Sequence, residues 1–394
     1  MIAIFLAPVY IALNAYIFLW FMRYMSACSH YFEKWQFGAV TLIIYSFFAL
    51  SILFAFLFPI RWLKHVSNIW FGMIAYILLT VAFADLVRIL LKHVIKINPE
   101  KLSSPRLFIA NGTICIIIIA ALTIYGYFHA RHIQVTPYTV FINKECGGYD
   151  SMKVVLTADL HLGYNMGNAQ MKQMVKKINA QKPDLVVIAG DFFDNDFDAL
   201  KDPDKIADTL RDIESTCGVY ACYGNHDIQE KILAGFTFDQ TEKKESDPRM
   251  DAFVEDAGII LLRDKGVLID DSFYLYGRAD KERPGRGIEK RKTPAELAAQ
   301  AAPDKPLIVI DHEPDELDEL SEAGVDLDLC GHTHDGQIFP GNITINFFWE
   351  NAYGYLKKGN MHNIVTSGVG VFGPNMRVGT KSEICSIEIK FKKN

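Results

Sequence analysis

Four apolar runs, Ile2–Met22, Phe37–Ile60, Ile69–Leu91 and Leu107–Phe128, decide what the first third of this 394-residue chain can become. Each meets the length of roughly 20 residues that carries a helix across a hydrocarbon core. The first run lacks a basic start and a small-residue cleavage site, and further spans follow it, so it reads as a true span and not as a cleaved signal. Charged residues are sparse before Arg131 and dense after Lys153. The sequence therefore predicts a four-helix transmembrane region over 1–130, a junction over 131–151 and a water-soluble domain over 152–394.

Short-loop charges give an orientation. In a four-span chain, loops one and three share one face, while loop two and the soluble domain share the other. The first face holds Arg23, Lys34, Lys92, Lys96, Lys101 and Arg106, and the second holds Arg61, Lys64, Arg131 and Lys144. Six against four places loops one and three in the cytoplasm and the soluble domain outside it. Within the spans, Asp85 and Arg88 are three residues apart and can pair on one helical face. The scarcity of polar span residues argues against a transport unit. The formal net charge of −6 gives no reason to expect a nucleic-acid partner. The cysteines are odd in number, seven, and lack metal-clip spacing. Cys28, Cys115 and Cys330 read as small apolar filler, and a bridge among Cys146, Cys217 and Cys222 stays open.

After the junction strand Val135–Ile142, the pattern alternates strand and helix. Strands are expected at Lys153–Thr157, Leu185–Ala189, Val219–Tyr223, Ile259–Leu262, Phe273–Gly277, Leu307–Ile310, Leu327–Cys330, Ile364–Ser367 and Ile384–Ile389. Met171, Met174, Val175 and Ile178 mark one helical face. Asp202-Pro203 reads as an N-cap with a first-turn proline ahead of Ile206, Leu210 and Ile213, and a further helix is expected near Pro294–Ala302. The class is α/β.

Polar residues gather where these strands end: Asp159-Leu160-His161, Gly190-Asp191, Gly224-Asn225-His226-Asp227, Asp311-His312 and Gly331-His332-Thr333-His334. Ligand sites of open α/β sheets form at carboxyl ends of strands. Gly224-Asn225-His226-Asp227 alone could be a capped turn. However, five of the six histidines after Met152 fall within these motifs, which scattered core or surface histidines would not do. Only His362 falls outside, and it reads as structural. Carboxylates, an amide and imidazoles suit two divalent cations that clamp a phosphate and acidify a water. Mixed nitrogen and oxygen donors favour manganese, iron, zinc or nickel over magnesium or calcium. Asp191 is the carboxylate best placed to bridge, with Gly190 permitting close approach. His226 is left for the leaving group, with Asp227 available to orient it.

The same residues resemble the five-block signature of the calcineurin-like metallophosphoesterases, present in order over about Met152–Lys390. The resemblance implies a four-layer α/β/β/α sandwich. It also implies that Asp159, His161, Asp191 and His334 hold one metal, that Asp191, Asn225, His312 and His332 hold the other, and that His226 acts on the phosphoryl or leaving oxygen. Gly336-Gln337, Ser367-Gly368 and Arg377 are similar to the ending of a membrane-associated bacterial branch, which gives Arg377 an expected contact with substrate phosphate. Asp335 stands where many relatives carry glycine and adds negative charge. Ile345–Tyr353 reads as a buried hairpin or, alternatively, as an aromatic lip that meets lipid. The basic stretch from Arg278 to Lys292 reads as a solvated loop that could hold anionic headgroups. The expected function is membrane-anchored, metal-dependent hydrolysis of a phosphodiester or pyrophosphate, including lipid-linked substrates, with membrane lipids as partners. The alternatives are a phosphomonoesterase on the same site, or a non-catalytic receptor that keeps the fold.

Overall fold

The computed structural model describes every residue except Met1, Ser103, Lys231, Ala234, Gly235, 238–245 and Asn394. The chain forms two compact units: Met1–Phe128 with Lys231–Gln240 and Gly373–Met376, and His129–Glu230 with Thr241–Phe372 and Arg377–Asn394.

In the first unit the apolar runs become α1 (Ile2–Cys28), α2 (Trp35–Leu57), α3 (Arg61–His93) and α5 (Pro105–His129), with the single-turn α4 (Pro99–Leu102) before the last. All four long helices are long and apolar enough to cross a membrane. α3 starts at Arg61, well ahead of the expected Ile69, because its first turns carry Arg61, Lys64 and His65, which hydropathy alone assigns to a loop. Ile17, Ala49, Trp70 and Ile74 pack α1, α2 and α3 together. Beside them Tyr45 Oη donates to Asn14 Oδ1 at 2.9 Å and Trp70 Nε1 donates to Tyr10 Oη at 3.1 Å. Buried polar groups of this kind hold spans together because no water competes for them. The expected Asp85–Arg88 pair does not form. Asp85 Oδ2 instead accepts from Tyr16 Oη of α1 at 2.9 Å.

In the second unit, β1 (Ile133–Ile142), β2 (Ser151–Thr157), α6 (Asn168–Gln181), β3 (Leu185–Ala189), α7 (Pro203–Arg211) and β4 (Val219–Cys222) come first. The two-residue strands β5 (Ile232–Leu233) and β6 (Phe236–Thr237) pair with each other and belong to the first unit. The second unit resumes with α8 (Pro248–Asp256), β7 (Ile260–Leu261), β8 (Lys265–Ile269), β9 (Phe273–Gly277), α9 (Pro294–Ala298), β10 (Leu307–Ile310), α10 (Leu317–Glu322) and β11 (Leu327–Cys330). The single turn α11 (Gly341–Thr344) precedes β12 (Gly354–Lys358), β13 (Met361–Val365) and β14 (Ser382–Phe391). Asp202 does precede Pro203, but it adopts a left-handed conformation and its side chain makes no cap bond.

Two six-stranded sheets result, ordered β1-β14-β2-β3-β4-β7 and β12-β13-β11-β10-β9-β8. The period-two alternation of each strand sorts its side chains into layers. Val154, Leu156, Leu185 and Val187 of the first sheet meet Leu275, Ile308, Leu329 and Ile364 of the second. On its other face the first sheet offers Val155, Val186 and Ala221 to Met171, Ile178, Ile206 and Phe253 of α6, α7 and α8. The second sheet offers Tyr276, Leu307 and Val309 to Leu297, Leu317 and Leu320 of α9 and α10. Helix, sheet, sheet, helix is the expected four-layer sandwich. β2, β3 and β4 run parallel, as do β9, β10 and β11, so each set presents its carboxyl ends at one edge. All seven cysteines are free; Cys115 and Cys330 are buried as filler, as are Cys146 and Cys222, whereas Cys28, expected among the filler, is exposed at the end of α1.

Candidate active site

The five polar motifs meet at those strand ends. Four donors face one another beyond β2, β3 and β11: His161 Nε2 lies 3.0 Å from His334 Nε2, 3.7 Å from Asp191 Oδ2 and 4.0 Å from Asp159 Oδ1. His334 Nε2 lies 3.5 Å from Asp159 Oδ1. A second group gathers beyond β4, β10 and β11. His312 Nε2 lies 3.2 Å from Asp191 Oδ2 and 3.0 Å from Asn225 Oδ1, and His332 Nδ1 lies 3.0 Å from Asn225 Oδ1 and 3.2 Å from His312 Nε2. Asp191 Oδ2 is common to the two groups. Its Oδ1 is held separately by the backbone N–H of His226 at 2.8 Å.

Backbone geometry brings the donors inward at a cost. Asp159, His161, Asp191, His332 and His334 all have positive φ, between 44° and 72°. A non-glycine residue there is strained by about 1–3 kcal/mol, which a folded protein tolerates where surrounding contacts enforce it. Gly190 is required for a different reason. Its φ is 79°, and a Cβ would lie 2.5 Å from His312 Nδ1 and 2.7 Å from the backbone nitrogen of Gly224. A side chain at 190 would push the ends of β3 and β4 apart and displace a ligand histidine.

The donor set fits divalent metal ions. His312 Nδ1 is 2.8 Å from the carbonyl of Ala189 and donates to it, so Nε2 turns its lone pair toward the Asp191 carboxylate and the Asn225 oxygen. Convergent lone pairs need a shared cation or a proton. Burial opposes charge on His312, but the Asp191 carboxylate outweighs it and raises this imidazole well above its ordinary range. Asp191 is held well below the carboxylate range despite burial, by His312 and His226. The outer nitrogens of two of these imidazoles face carboxylates, as those of metal-binding histidines often do, here beyond hydrogen-bond distance. His161 Nδ1 faces Asp194 Oδ1 at 3.7 Å, and His332 Nε2 faces Glu313 Oε1 at 3.6 Å. Asp159, His161 and His334, and likewise Asp159, Asp191 and His312, present ligand atoms within 4.8 Å of one another; so do His161, Asp194 and His226.

His226 stands beside both donor groups, and Asn195 orients it. The side-chain oxygen of Asn195 is hydrogen-bonded to His226 Nδ1. Asp227, expected in that role, accepts instead from the backbone N–H groups of Asp191, Phe193 and Gly224 at 2.9, 3.0 and 2.8 Å. It fastens the Asp191 loop to β4 and does not touch the imidazole. Burial pushes the His226 imidazole down to about 4. Phe372 covers this side, its ring 4.5 Å from that of His226 and 5.7 Å from that of His161. Gln337 pins it, donating to the Phe372 carbonyl at 2.9 Å and accepting from its N–H at 2.8 Å.

Three expectations about the surroundings change. Arg377 is fully buried. Its guanidinium donates to the carbonyls of Gly370 and His334 at 2.8 and 3.1 Å and to that of Ser367, and lies 3.2 Å from His334 Nδ1. It braces the segment carrying His334 and does not reach the solvent side where a phosphate would arrive. The arginines of the basic stretch are engaged inside the domain. Arg278 pairs with Asp311 and Glu316 at 2.6 Å each, Arg291 with Glu316 at 2.7 Å, and Arg283 donates to the Asn225 carbonyl at 2.8 Å. The solvated-loop expectation therefore fails for the buried Arg278 and Arg291 and holds for the exposed Lys281 and Lys290. Finally, Ile345–Tyr353 is not a buried hairpin. It begins as a helical turn with Phe347 81 % and Phe348 79 % exposed, while Trp349 stacks edge-on against His332 at 5.2 Å. Asp335 is pushed up to about 6 by burial, against the pull of Arg377. His362 is structural, with Nε2 on the Phe141 carbonyl and Nδ1 on Tyr355 Oη, both at 2.9 Å.

Residues 152–336 match the sequence profile of the calcineurin-like phosphoesterases. The chain carries a calcineurin-like phosphoesterase domain. A transmembrane protein with a metallophosphoesterase domain from Danio rerio is 28% identical over 70% of this chain and 62% of its own length. Uncharacterised metallophosphoesterases of Campylobacter jejuni and Aquifex aeolicus are 29% and 26% identical, over 61% and 68% of this chain and 60% and 97% of their own lengths. The matched part thus spans about three-fifths of the first two relatives. The similarity extends to animal as well as bacterial proteins.

Proposed function

We propose that the chain is a membrane-anchored hydrolase that cleaves a phosphodiester or pyrophosphate bond at a dinuclear centre. The observation that carries this reading is the position of Asp191 Oδ2, 3.7 Å from His161 Nε2 on one side and 3.2 Å from His312 Nε2 on the other. One carboxylate between two histidine-bearing groups is what a bridging ligand requires. Asp159, His161, Asp191 and His334 would hold one divalent ion, and Asp191, Asn225, His312 and His332 the other. Manganese, iron, zinc or nickel suit these donors. Such ions supply charge stabilisation for the phosphoryl group and an acidified water.

The protein's own groups do the rest. His226 faces the incoming substrate with Nδ1 fixed by Asn195, so Nε2 is the atom that exchanges a proton with the leaving oxygen. Burial lowers its proton affinity, so it is neutral at pH 7; the negative charge of arriving phosphoryl oxygens favours uptake of a proton from solvent at Nε2, and the imidazolium then passes that proton to the leaving oxygen. Phe372 excludes water from that side. The exposed Phe347 and Phe348, joined through Trp349 to the ligand His332, support a substrate with an apolar part, as a lipid-linked phosphate has. The loop charges support a catalytic domain outside the cytoplasm.

The deciding experiment uses the full chain in detergent, with metals counted and a panel of diesters, monoesters and lipid-linked pyrophosphates assayed with and without chelator. Two metals per chain and chelator-sensitive cleavage of diester or pyrophosphate are expected. One metal per chain overturns the dinuclear site, and no turnover with two metals bound overturns the enzyme.

A further inference from the structure

The strongest feature outside the phosphoesterase domain is a cavity in the helical unit, about 550 Å³ in volume, bordered by Tyr16, Trp20, Arg23, Asp85, Arg88 and Asn111 among apolar side chains. These residues come from three helices at one level. Arg23 is five residues before the end of α1, Arg88 five before the end of α3, and Asn111 six after the start of α5. Chain order in a four-span bundle puts those three ends on one membrane face. At about 1.5 Å per residue both arginines lie roughly 7.5 Å inside their helix ends. α3, with 33 residues, is about 50 Å long against a hydrocarbon core of about 30 Å. The surplus lies mostly in its first turns, ahead of Ile69; at the other end Lys92 and His93 mark the interface, and Arg88, one turn earlier, can extend its guanidinium to phosphate depth.

The charges there are incompletely matched. Asp85 is engaged by Tyr16 Oη at 2.9 Å, and Tyr24 Oη meets Thr113 Oγ1 at 2.7 Å, so α1 is tied to α3 and to α5 around the cavity. Arg23 and Arg88 make no hydrogen bond or ion pair with a described residue. Two guanidiniums against one carboxylate leave one positive charge to be neutralised in a groove walled by Leu19, Val87, Leu107 and Phe108. Ionisable groups at membrane depth are costly unless paired, and arginine matches phosphate oxygens with its fork of donors. A singly charged phosphodiester with hydrocarbon tails satisfies the charge and the walls together.

We propose that this groove binds an anionic phospholipid from the surrounding leaflet, its phosphate held between Arg23 and Arg88. The site is separate from the phosphoesterase chemistry and does not depend on it.

The test uses the full chain, purified in detergent and equilibrated with phosphatidylglycerol or phosphatidylcholine of matched acyl chains. Native mass spectrometry and thermal unfolding are the readouts. Phosphatidylglycerol is expected to remain bound at about one per chain and to raise Tm more than phosphatidylcholine does. Arg23→Gln with Arg88→Gln should reduce retained phosphatidylglycerol at least ~10-fold, the equivalent of one lost charge-assisted contact. Equal retention of both lipids by the wild type overturns the proposal, and that comparison stands even if the double variant does not accumulate. Retention unchanged in the double variant also overturns it. A Tm rise matched by inorganic phosphate alone would mean a small-anion site and would overturn the assignment to lipid.

Discussion

Asn195 and His226 are tied twice: the Asn195 backbone N–H donates to the His226 carbonyl at 3.2 Å, and the Asn195 side-chain oxygen holds His226 Nδ1. Nδ1 is thereby engaged, which leaves Nε2 as the ring nitrogen open to a substrate. If His226 protonates the leaving oxygen, His226→Ala should keep its metals and lose roughly 10²–10⁴-fold in kcat/KM on alkyl esters, with much less loss on activated aryl esters. Asn195→Ala should reproduce that leaving-group pattern at smaller size, because the imidazole remains but is no longer fixed. Asp227→Ala should behave differently, lowering stability and metal content without a leaving-group pattern. A uniform loss across esters of graded leaving-group pKa for His226→Ala would remove the proton-donor role.

Asp191→Asn is expected to abolish turnover and to reduce metal content at both positions. Its carboxylate stands between the two donor groups, and an amide carries neither the charge nor the second anionic oxygen that bridging needs. The check is metal analysis on the purified variant beside its rate. Two metals with a near-normal rate would sink the bridging role.

Phe347 and Phe348 should matter only for substrates with an apolar part. Burying one aromatic side chain contributes roughly 1.5–3 kcal/mol. Replacing both by alanine should therefore lower kcat/KM on a lipid-linked substrate by about 10-fold or more, while a water-soluble aryl diester is cleaved at the wild-type rate. Equal effects on both substrates would show that the lip shapes the site and does not recognise lipid.

The orientation follows from six basic residues against four in the short loops. A carboxyl-terminal alkaline phosphatase fusion should be active, and a reporter that works only in the cytoplasm should be dark. The opposite pattern would place the catalytic domain with the cytosol and its soluble metabolites.

Much of this was legible before any coordinates because the site is built from residue types that do not belong at strand ends otherwise. Asp159, Asp191, Asn225, His312 and His334 stand out against the apolar strands that carry them. What sequence could not give is the outer layer. Asn195 and Asp194 follow Phe193 in a loop, where asparagine and aspartate are ordinary turn residues, and only the fold brings them to His226 and His161. The acids that consume Arg278 and Arg291 lie at Asp311 and Glu316, on another loop, so the basic stretch read alone suggested solvent. β8 and β12 escaped for a related reason. Both are edge strands with exposed alternate residues such as Lys265, Gly266 and Lys357, and their pattern lacks the continuous apolar run of the central strands.

Asp328, on β11, supplies a stability test away from the metal ligands. Its carboxyl is fully buried: Oδ2 accepts from Asn363 Nδ2 at 2.8 Å, and Oδ1 has no hydrogen-bond partner among the described residues. Burial, reinforced by Asp311, pushes it up to about 7. Because the folded value exceeds the unfolded one, the folded state binds the extra proton between about pH 4 and 7. The stability this gives is complete below the unfolded value and is lost as pH rises through the folded one. The loss is on the order of 4 kcal/mol at most. Asp328→Asn keeps the oxygen that Asn363 needs and removes the charge. It should raise Tm at pH 8, where the wild type carries a buried carboxylate, and leave Tm nearly unchanged at pH 4, where both side chains are neutral. Thermal unfolding of both proteins in detergent across this range measures the difference. A Tm gap that is the same at both ends of the range would mean that Asp328 does not titrate in the folded protein.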